Sequence, residues 1–286
     1  MPYENLVEFE NLHVNFPTVG KHVEAVRGVT YHISKGETVG VVGESGSGKS
    51  VSAMSLLRLN DMAGAYIPEG RILLNSRELG KIDVTKAEEN TMQSIRGKEV
   101  AMIFQEPMTC LNPVLSLKTQ LTEPLIQHQS MTLDEAEAKI LSLIKRVRIP
   151  DPEKKLEQYP HHLSGGMRQR AMIAMALSCE PSLLIADEPT TALDVTIQAQ
   201  ILDLIKDLQD EFGMTVMFIT HDMAVIAEMA DRVVVMFKGK IVEQGSVDQI
   251  FHSPEHAYTK KLINAVPRMG SMTGKSSPEK FPLIEA

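Results

Sequence analysis

An eight-residue glycine-rich stretch constrains this chain more than any other feature of its sequence. Residues 43–50 read GESGSGKS and fit the pattern G-x-x-x-x-G-K-[ST]. In that pattern a glycine-rich turn points backbone N–H groups at phosphates, while the lysine reaches the β and γ oxygens. The motif therefore predicts a nucleotide-binding loop, but it does not by itself name a function.

The residues on either side of this loop indicate a strand and a helix. Thr38 to Val42 is an apolar, β-branched run that leads directly into the loop, and Lys49 to Leu59 follows with helical spacing. The unpaired N–H groups at the start of that helix, together with its positive dipole end, favour a triphosphate. We expect the order strand, phosphate loop, helix.

Two further predicted strands lead into polar residues. Leu183 to Ala186 precedes Asp187 and Glu188, and Thr215 to Ile219 precedes His221. Parallel strands present ligands at their carboxyl ends, so these side chains are expected to meet near the phosphate loop. The alternation of strands and helices favours a parallel α/β core.

Between and before these strands, the sequence predicts helices. One opens near Asp194, closes at Gly213 and places apolar residues on one face. Another opens with a capping box from Thr132 to Glu135. A third, Met167 to Leu177, follows Ser164, Gly165 and Gly166, small residues that let a phosphate approach free backbone donors.

Composition narrows the classes of protein that the chain can represent. The 286 residues carry a formal charge of −8 without a concentrated basic segment, which argues against nucleic acid as a partner. No apolar run approaches the roughly 20 residues that a membrane-spanning helix needs. With only Cys110 and Cys179, a disulfide framework or a four-thiolate site is excluded, and a reducing cytoplasm is the simplest compartment.

Two more stretches carry a resemblance to a known family. LSGGMRQR at residues 163–170 and SLLIADEP at residues 182–189 follow the phosphate loop in the order found in ATP-binding-cassette (ABC) ATPases. The resemblance implies an α/β P-loop NTPase (RecA-like) nucleotide-binding domain with a small antiparallel β subdomain and a helical insert. We expect residues 1–90 and 176–245 to form the core, 91–175 the helical subdomain with the LSGG signature, and 246–286 a short C-terminal extension.

In that family two cassettes face each other head to tail, and each ATP lies between the phosphate loop of one and the LSGG signature of the other. The resemblance implies ATP and Mg²⁺ as cofactors and a second cassette as a partner. Asp194 would lie across the interface, and Phe16 would stack on adenine or, alternatively, belong to the core. The residues implied to contact nucleotide are Phe16, Gly43, Glu44, Ser45, Gly46, Ser47, Gly48, Lys49, Ser50 and Val51, with Ser164, Gly165, Gly166 and Asp194 serving the partner's ATP.

The resemblance also implies the metal ligands and the catalytic residues. Ser50 and Asp187 would hold Mg²⁺, and Gln105 would contact both the metal and the attacking water. Glu188 would orient or deprotonate that water, and His221 would bridge it to the γ-phosphate.

Within the family, the chain resembles the importer ATPases for dipeptides, oligopeptides, glutathione and nickel. Residues 106–120, EPMTCLNPVLSLKTQ, and residues 242–267 carry this likeness, and the final residues most resemble the end of the first cassette in glutathione-importer ATPases that fuse two cassettes. A separate subunit and part of a longer polypeptide both remain open. The cysteine-rich tail of some dipeptide relatives is absent, so we expect no iron–sulfur cluster.

The expected function is ATP hydrolysis that powers an importer of peptide-class solutes, from the cytoplasmic face of the inner membrane. Its partners would be the second cassette, two transmembrane permease subunits and, indirectly, a solute-binding protein. Import of nickel or another small solute is the alternative within the subgroup. A non-transport ABC ATPase acting on DNA, ribosomes or lipoprotein release is the alternative of another class.

The segment from Glu106 to Gln120 is the expected dock for a permease helix. Its apolar side chains either line that dock or pack within the helical insert. They are Met108, Leu111, Val114 and Leu115.

Overall fold

The computed structural model describes residues 4–105, 110–191 and 193–265 of the chain. Within these ranges the chain forms two β-sheets and a set of helices. The strands are β1 (Asn5–Thr18), β2 (Lys21–Ser34), β3 (Thr38–Val42), β4 (Arg71–Ser76), β5 (Gly80–Asp83), β6 (Val100–Ile103), β7 (Leu183–Asp187), β8 (Thr215–Thr220), β9 (Arg232–Phe237) and β10 (Lys240–Ser246). The helices are α1 (Lys49–Leu56), α2 (Glu89–Ile95), α3 (Leu117–Gln129), α4 (Leu133–Arg146), α5 (Pro152–Leu156), α6 (Gly165–Leu177), α7 (Val195–Phe212), α8 (Met223–Met229), α9 (Val247–His252) and α10 (Ala257–Asn264).

The larger sheet has the strand order β10-β9-β3-β8-β7-β6. Its pairings from β9 to β6 are parallel, and β10 is antiparallel to β9. Every residue of β3, β7 and β8 is buried, as expected for parallel strands that are covered on both faces. The predicted parallel α/β core is confirmed, and the carboxyl ends of these strands lie at one edge of the sheet.

The smaller sheet is antiparallel, with the order β2-β1-β4-β5. It shares a hydrophobic core with α1 and with one face of the larger sheet, where Val41 and Ile185 are buried. The rings of Phe9 and Tyr31 stack in this core with their centroids 4.3 Å apart. The antiparallel β part that the resemblance implies is therefore present beside the parallel core.

The opposite face of the larger sheet packs against helices. Phe218 and Val235 from the sheet share a core with Leu121, Ile140 and Ile173, which come from α3, α4 and α6. Because sheet and helices bury their apolar faces in one continuous cluster, the helical region is anchored directly to the sheet.

Local sequence signals correctly predicted where α4 begins and where α7 begins and ends. The side chain of Asp194 accepts a hydrogen bond from the Ile197 backbone at the start of α7, and Gly213 ends that helix in the left-handed conformation. At α4, Thr132 and Glu135 form the predicted capping box. The helix predicted from Lys49 to Leu59 instead ends at Leu56, because Arg58 takes a positive φ of 53° and a 3₁₀ turn follows.

The region expected to be a helical insert contains one strand of the main sheet. β6 pairs in parallel with β7 and forms the edge of the sheet, while the helices of this region follow in the chain. The division into subdomains stays a prediction, with β6 on the sheet side of the boundary.

Candidate active site

The phosphate loop runs from the end of β3 to the start of α1, and two of its glycines are required by the backbone. A Cβ on Gly43 would lie 2.2 Å from the Met236 carbonyl oxygen, and φ is +151° there. A Cβ on Gly48 would lie 2.6 Å from the Ala25 carbonyl oxygen, with φ at +99°. Because only glycine tolerates both the conformation and the approach, these positions hold the loop tightly against β2 and β9.

The Lys49 ammonium lies inside this loop. Its Nζ donates to the carbonyl oxygens of Gly43 at 2.8 Å and Glu44 at 2.9 Å. Burial lowers the pKa of this amine, and the carboxylates of Glu188 and Asp187 oppose that shift. Among the described residues, loop carbonyls and nearby carboxylates compensate this buried cation.

The loop also buries a hydroxyl oxygen, that of Ser47. The Ser47 hydroxyl has no hydrogen-bond partner within the described part of the chain, and Ser47 is 3% exposed. By contrast, Ser45 and Gly46 are exposed, and a Cβ on Gly46 would meet no atom within 4 Å. The open side of the loop thus has room for a polyanion beside backbone donors and a buried cation.

A hydroxyl and a carboxylate meet at the edge of the loop. Ser50 Oγ donates to Asp187 Oδ1 at 3.0 Å, which joins the first turn of α1 to the end of β7. Burial raises the pKa of Asp187, and the Ser50 hydrogen bond acts against that shift. Hydroxyl and carboxylate oxygens are the ligand types that Mg²⁺ prefers, so this pair fits such an ion.

Glu188 is the centre of a hydrogen-bond network at the carboxyl end of β7. Gln105 Nε2 donates to its Oε2 at 2.8 Å, and the Thr191 hydroxyl donates to the same oxygen at 2.9 Å. Its other oxygen, Oε1, lies 2.9 Å from His221 Nδ1. Three side chains from separate segments therefore converge on one carboxylate.

The backbone of Glu188 is itself unusual. Its φ is +46°, a left-handed value that non-glycine residues seldom adopt, and its N–H donates to the Ile219 carbonyl at 2.8 Å. Backbone strain of this kind clusters at functional sites. The left-handed turn and the Ile219 bond together fix the direction in which the carboxylate leaves the strand.

The network keeps Glu188 charged. Burial on its own would raise the pKa of this carboxyl, but hydrogen bonds from His221 and Thr191 outweigh it and lower the pKa below the usual value. The carboxylate is thus ionised at neutral pH and can accept a proton or a hydrogen bond.

The predicted signature residues lie at the starts of two helices that touch. Ser164 accepts a hydrogen bond from the Met167 backbone N–H at 3.3 Å, and Asp194 accepts one from Ile197 at 2.9 Å. A Cβ on Gly166 would lie 3.1 Å from the Ile197 side chain. Ser164, Gly165 and Asp194 are exposed. Within the described ranges, none of these side chains hydrogen-bonds to the phosphate loop or to Glu188.

Three further residues were predicted to contact the nucleotide, namely Phe16, Val51 and Glu44. Phe16 and Val51 are half-buried and pack against the core beneath the smaller sheet. The backbone N–H of Glu44 donates to the hydroxyl of Tyr258 at 2.9 Å.

Sequence reasoning missed two residues of this site. Thr191 lies three positions after Glu188, and its hydroxyl group, so close in sequence to the predicted carboxylate, was a signal that could have indicated it. Tyr258 lies 214 positions from Glu44, and no local pattern links the two.

The apolar residues of the predicted dock differ in how exposed they are. Leu111 is 2% exposed and lies in the core, whereas Val114 is 75% and Leu115 is 36% exposed. For Leu111 the core alternative is therefore correct. Met108 lies outside the described residues. Leu115 lines a cavity of about 620 Å³ between α3 and α4, together with Thr122, Ile126 and Leu133.

A phosphate loop on a parallel α/β sheet, with a lysine, a serine, an aspartate and a glutamate clustered beside it, is typical of a nucleotide-binding cassette. Comparison with known proteins agrees. A family model described as "ABC transporter" matches residues 26–191, and one described as "Oligopeptide/dipeptide transporter, C-terminal region" matches residues 242–282. The chain belongs to the ABC transporter family.

Curated relatives of high identity include two glutathione import ATP-binding proteins. The protein from Pectobacterium atrosepticum is 53% identical over 285 residues, which cover 100% of this chain and 46% of the relative. The protein from Salmonella typhimurium is 53% identical over 282 residues, which cover 99% of this chain and 45% of the relative. The chain thus spans about half the length of the curated relatives it matches.

Solved structures of ABC cassettes share the fold. A dimeric post-hydrolysis state of the cassette MJ0796 bound to ADP and Pi has a TM-score of 0.72 and 27% identity, covering 84% of this chain and 98% of that chain. The protein cbiO1 from Clostridium perfringens, part of the complex cbiONQ, has a TM-score of 0.71 and 26% identity, covering 87% of this chain and 92% of that chain. The predicted ABC cassette fold is confirmed.

Proposed function

We propose that this chain binds and hydrolyses ATP to power an importer of peptide-class solutes, among which glutathione, dipeptides and oligopeptides are candidates. The observation that carries the proposal is the Glu188 carboxylate, which Gln105, Thr191 and His221 hold beside the phosphate loop. The peptide class rests on the 53% identity to glutathione import proteins and on the match to the oligopeptide and dipeptide transporter region.

The loop residues bind the triphosphate in this proposal. Backbone donors around Gly46 face the phosphates, and the Lys49 ammonium exchanges its two loop carbonyls for phosphate oxygens. Mg²⁺ would be held by Ser50, Asp187 and Gln105, where it would neutralise charge on the phosphates. Phe16 stacks on the adenine ring.

The Glu188 carboxylate accepts a hydrogen bond or a proton from the attacking water. His221, whose side chain is 65% exposed, lies beside Glu188 and orients that water and the terminal phosphate. Thr191 is a positioning residue, since its hydroxyl shares Oε2 of Glu188 with Gln105.

A second cassette completes the site. Ser164, Gly165 and Asp194 are exposed at helix starts, and Gly166 beside them is half-buried; these residues serve the ATP of the partner cassette. A homodimer, a heterodimer and a fused pair each satisfy this arrangement.

The permease dock lies near the exposed end of α3. Gln105 follows β6 and bonds Glu188, so movement at the nucleotide reaches the segment after Gln105. The exposed Val114 and Leu115 offer contact area to a permease helix there. With its dock on a permease, the chain acts at the cytoplasmic face of the membrane. No helix in the described part of the chain is long and apolar enough to cross a bilayer.

Phosphate release from Mg-ATP tests this proposal. The purified chain, alone and with its partner cassette, should hydrolyse ATP, and Lys49→Ala should abolish both turnover and tight nucleotide binding. Lys86→Ala is the matched control, because that lysine side chain is 82% exposed. Turnover that survives in Lys49→Ala would refute the assignment of the loop. Stimulation of turnover by co-expressed permeases, and then by a solute-binding protein loaded with glutathione or dipeptide, would identify the importer class.

A further inference from the structure

The C-terminal part of the described chain reaches back to the phosphate loop. The hydroxyl oxygen of Tyr258, at the start of α10, accepts a hydrogen bond from the Glu44 backbone N–H at 2.9 Å. Tyr258 is only 5% exposed, and its ring packs on Phe237 with centroids 4.3 Å apart. A side chain far along the chain thus contacts the second residue of the loop from within the core.

The position of Tyr258 is fixed by the strand before it. The Glu243 carboxylate on β10 accepts hydrogen bonds from the backbone N–H groups of Glu255 at 2.7 Å and His256 at 3.0 Å. His256 then caps α10, because its Nδ1 accepts from the Tyr258 N–H at 3.1 Å. These three hydrogen bonds hold the first turn of α10 in place, and this fixes the position of the Tyr258 hydroxyl relative to the phosphate loop.

Other hydrogen bonds hold the loop as well. The Gly239 N–H, in the turn between β9 and β10, donates to the Ser47 carbonyl at 3.0 Å. The Lys49 ammonium occupies the carbonyls of Gly43 and Glu44. The Glu44 N–H is bound by Tyr258 and not by the loop itself, so removal of that one acceptor would leave this donor unpaired in a partly buried place.

We propose that Tyr258 is a positioning residue of the nucleotide site, which holds the phosphate loop ready for ATP and makes nucleotide affinity depend on the docking of α10. This rests on the proposed function, since it assumes that the loop binds ATP. Glu243 and Tyr258 both lie within residues 242–282, the region matched by the oligopeptide and dipeptide transporter model. The contact therefore links that region to the ATP site: whatever lifts α10 would loosen the loop.

The test replaces only the hydroxyl. Tyr258→Phe keeps the ring on Phe237 and removes the acceptor, and Tyr159→Phe is the matched control at a tyrosine that is 41% exposed. We expect the Kd for Mg-ATP, measured by titration calorimetry, to rise about three- to tenfold in Tyr258→Phe. With the partner cassette present, KM should rise while kcat at saturating ATP stays within about twofold, since no reacting atom is touched. Tyr159→Phe should match the parent in all of these measurements.

Hydrogen exchange separates this inference from the function on which it rests. The Glu44 amide should exchange faster in nucleotide-free Tyr258→Phe, a result that does not require ATP binding. Glu243→Gln, which weakens the anchor of α10 but keeps the phenol, should show a smaller shift of the same sign. Failure of the parent chain to bind ATP would refute the proposed function, while exchange at Glu44 would still report on the contact. Unchanged Kd and unchanged Glu44 exchange in Tyr258→Phe would overturn the inference, as would a lower melting temperature with unchanged Kd.

Discussion

Two glycines of the phosphate loop provide a sharp test of how the loop is built, because they share a positive φ and differ in their surroundings. Gly46 has φ +77° and no atom within 4 Å of an added Cβ, whereas Gly48 has φ +99° and the Ala25 carbonyl oxygen 2.6 Å away. Alanine at either position costs about 1–2 kcal/mol for the left-handed backbone. At Gly48 the overlap with a backbone oxygen forces a shift of β2 or α1, which adds about 1–3 kcal/mol.

We therefore expect Gly48→Ala to lose roughly 2–5 kcal/mol of the free energy of unfolding and Gly46→Ala roughly 1–2 kcal/mol. Urea unfolding followed by circular dichroism measures both. Nucleotide affinity should also fall in Gly46→Ala, out of proportion to its stability, because its methyl group stands on the open side of the loop where phosphates approach. Equal stability losses in the two variants would refute the steric cost expected at Gly48. Full ATP affinity in Gly46→Ala would refute the placement of the phosphates on the open side of the loop.

Two further predictions address the pH dependence of stability and the permease dock. Burial raises the pKa of Glu37, but hydrogen bonds from Arg232 and the Ser34 backbone outweigh it, so the pKa falls below 4.5. The stability that Glu37 contributes is then complete above pH 4.5 and is lost as the pH drops through its folded-state pKa. Accordingly, Glu37→Gln should cost about 1–3 kcal/mol at pH 7 and progressively less below pH 4.5 in urea titrations; a cost independent of pH would contradict this. For the dock, Val114→Glu should leave unfolding and soluble ATPase activity unchanged and abolish co-purification with the permeases, whereas Leu111→Glu should lose about 3 kcal/mol or more by burying a charge. Retained co-purification in Val114→Glu would place the membrane contact elsewhere.

Much of the fold could be predicted from local sequence signals. The strand before the phosphate loop, the Asp194 cap and the Gly213 end of α7 each depend on residues that are adjacent in sequence, so their patterns can be read without tertiary information. The end of α1 could not be predicted, because apolar spacing continued past Leu56 while Arg58 took a left-handed conformation.

Some features of the site could likewise be predicted from the sequence, whereas others could not. Lys49 and Glu188 lie inside motifs, and the structure places both at the carboxyl edge of the sheet. The contact of Tyr258 with Glu44 depends on how α10 docks, and the left-handed turn at Glu188 depends on its bond to Ile219. Tertiary packing sets both features, so no pattern of adjacent residues reports them.

Hydrolysis by Glu188→Gln tests the central claim most directly. Glutamine keeps the size of the side chain and one acceptor oxygen, but it removes the charge that Gln105, Thr191 and His221 hold in place. With saturating Mg-ATP and the partner cassette present, turnover should fall by about 10² to 10⁴, while bound ATP is retained and light scattering detects an accumulated dimer of cassettes. Turnover equal to that of the parent chain, with ATP bound normally, would show that Glu188 is not the base and would contradict the account of the site.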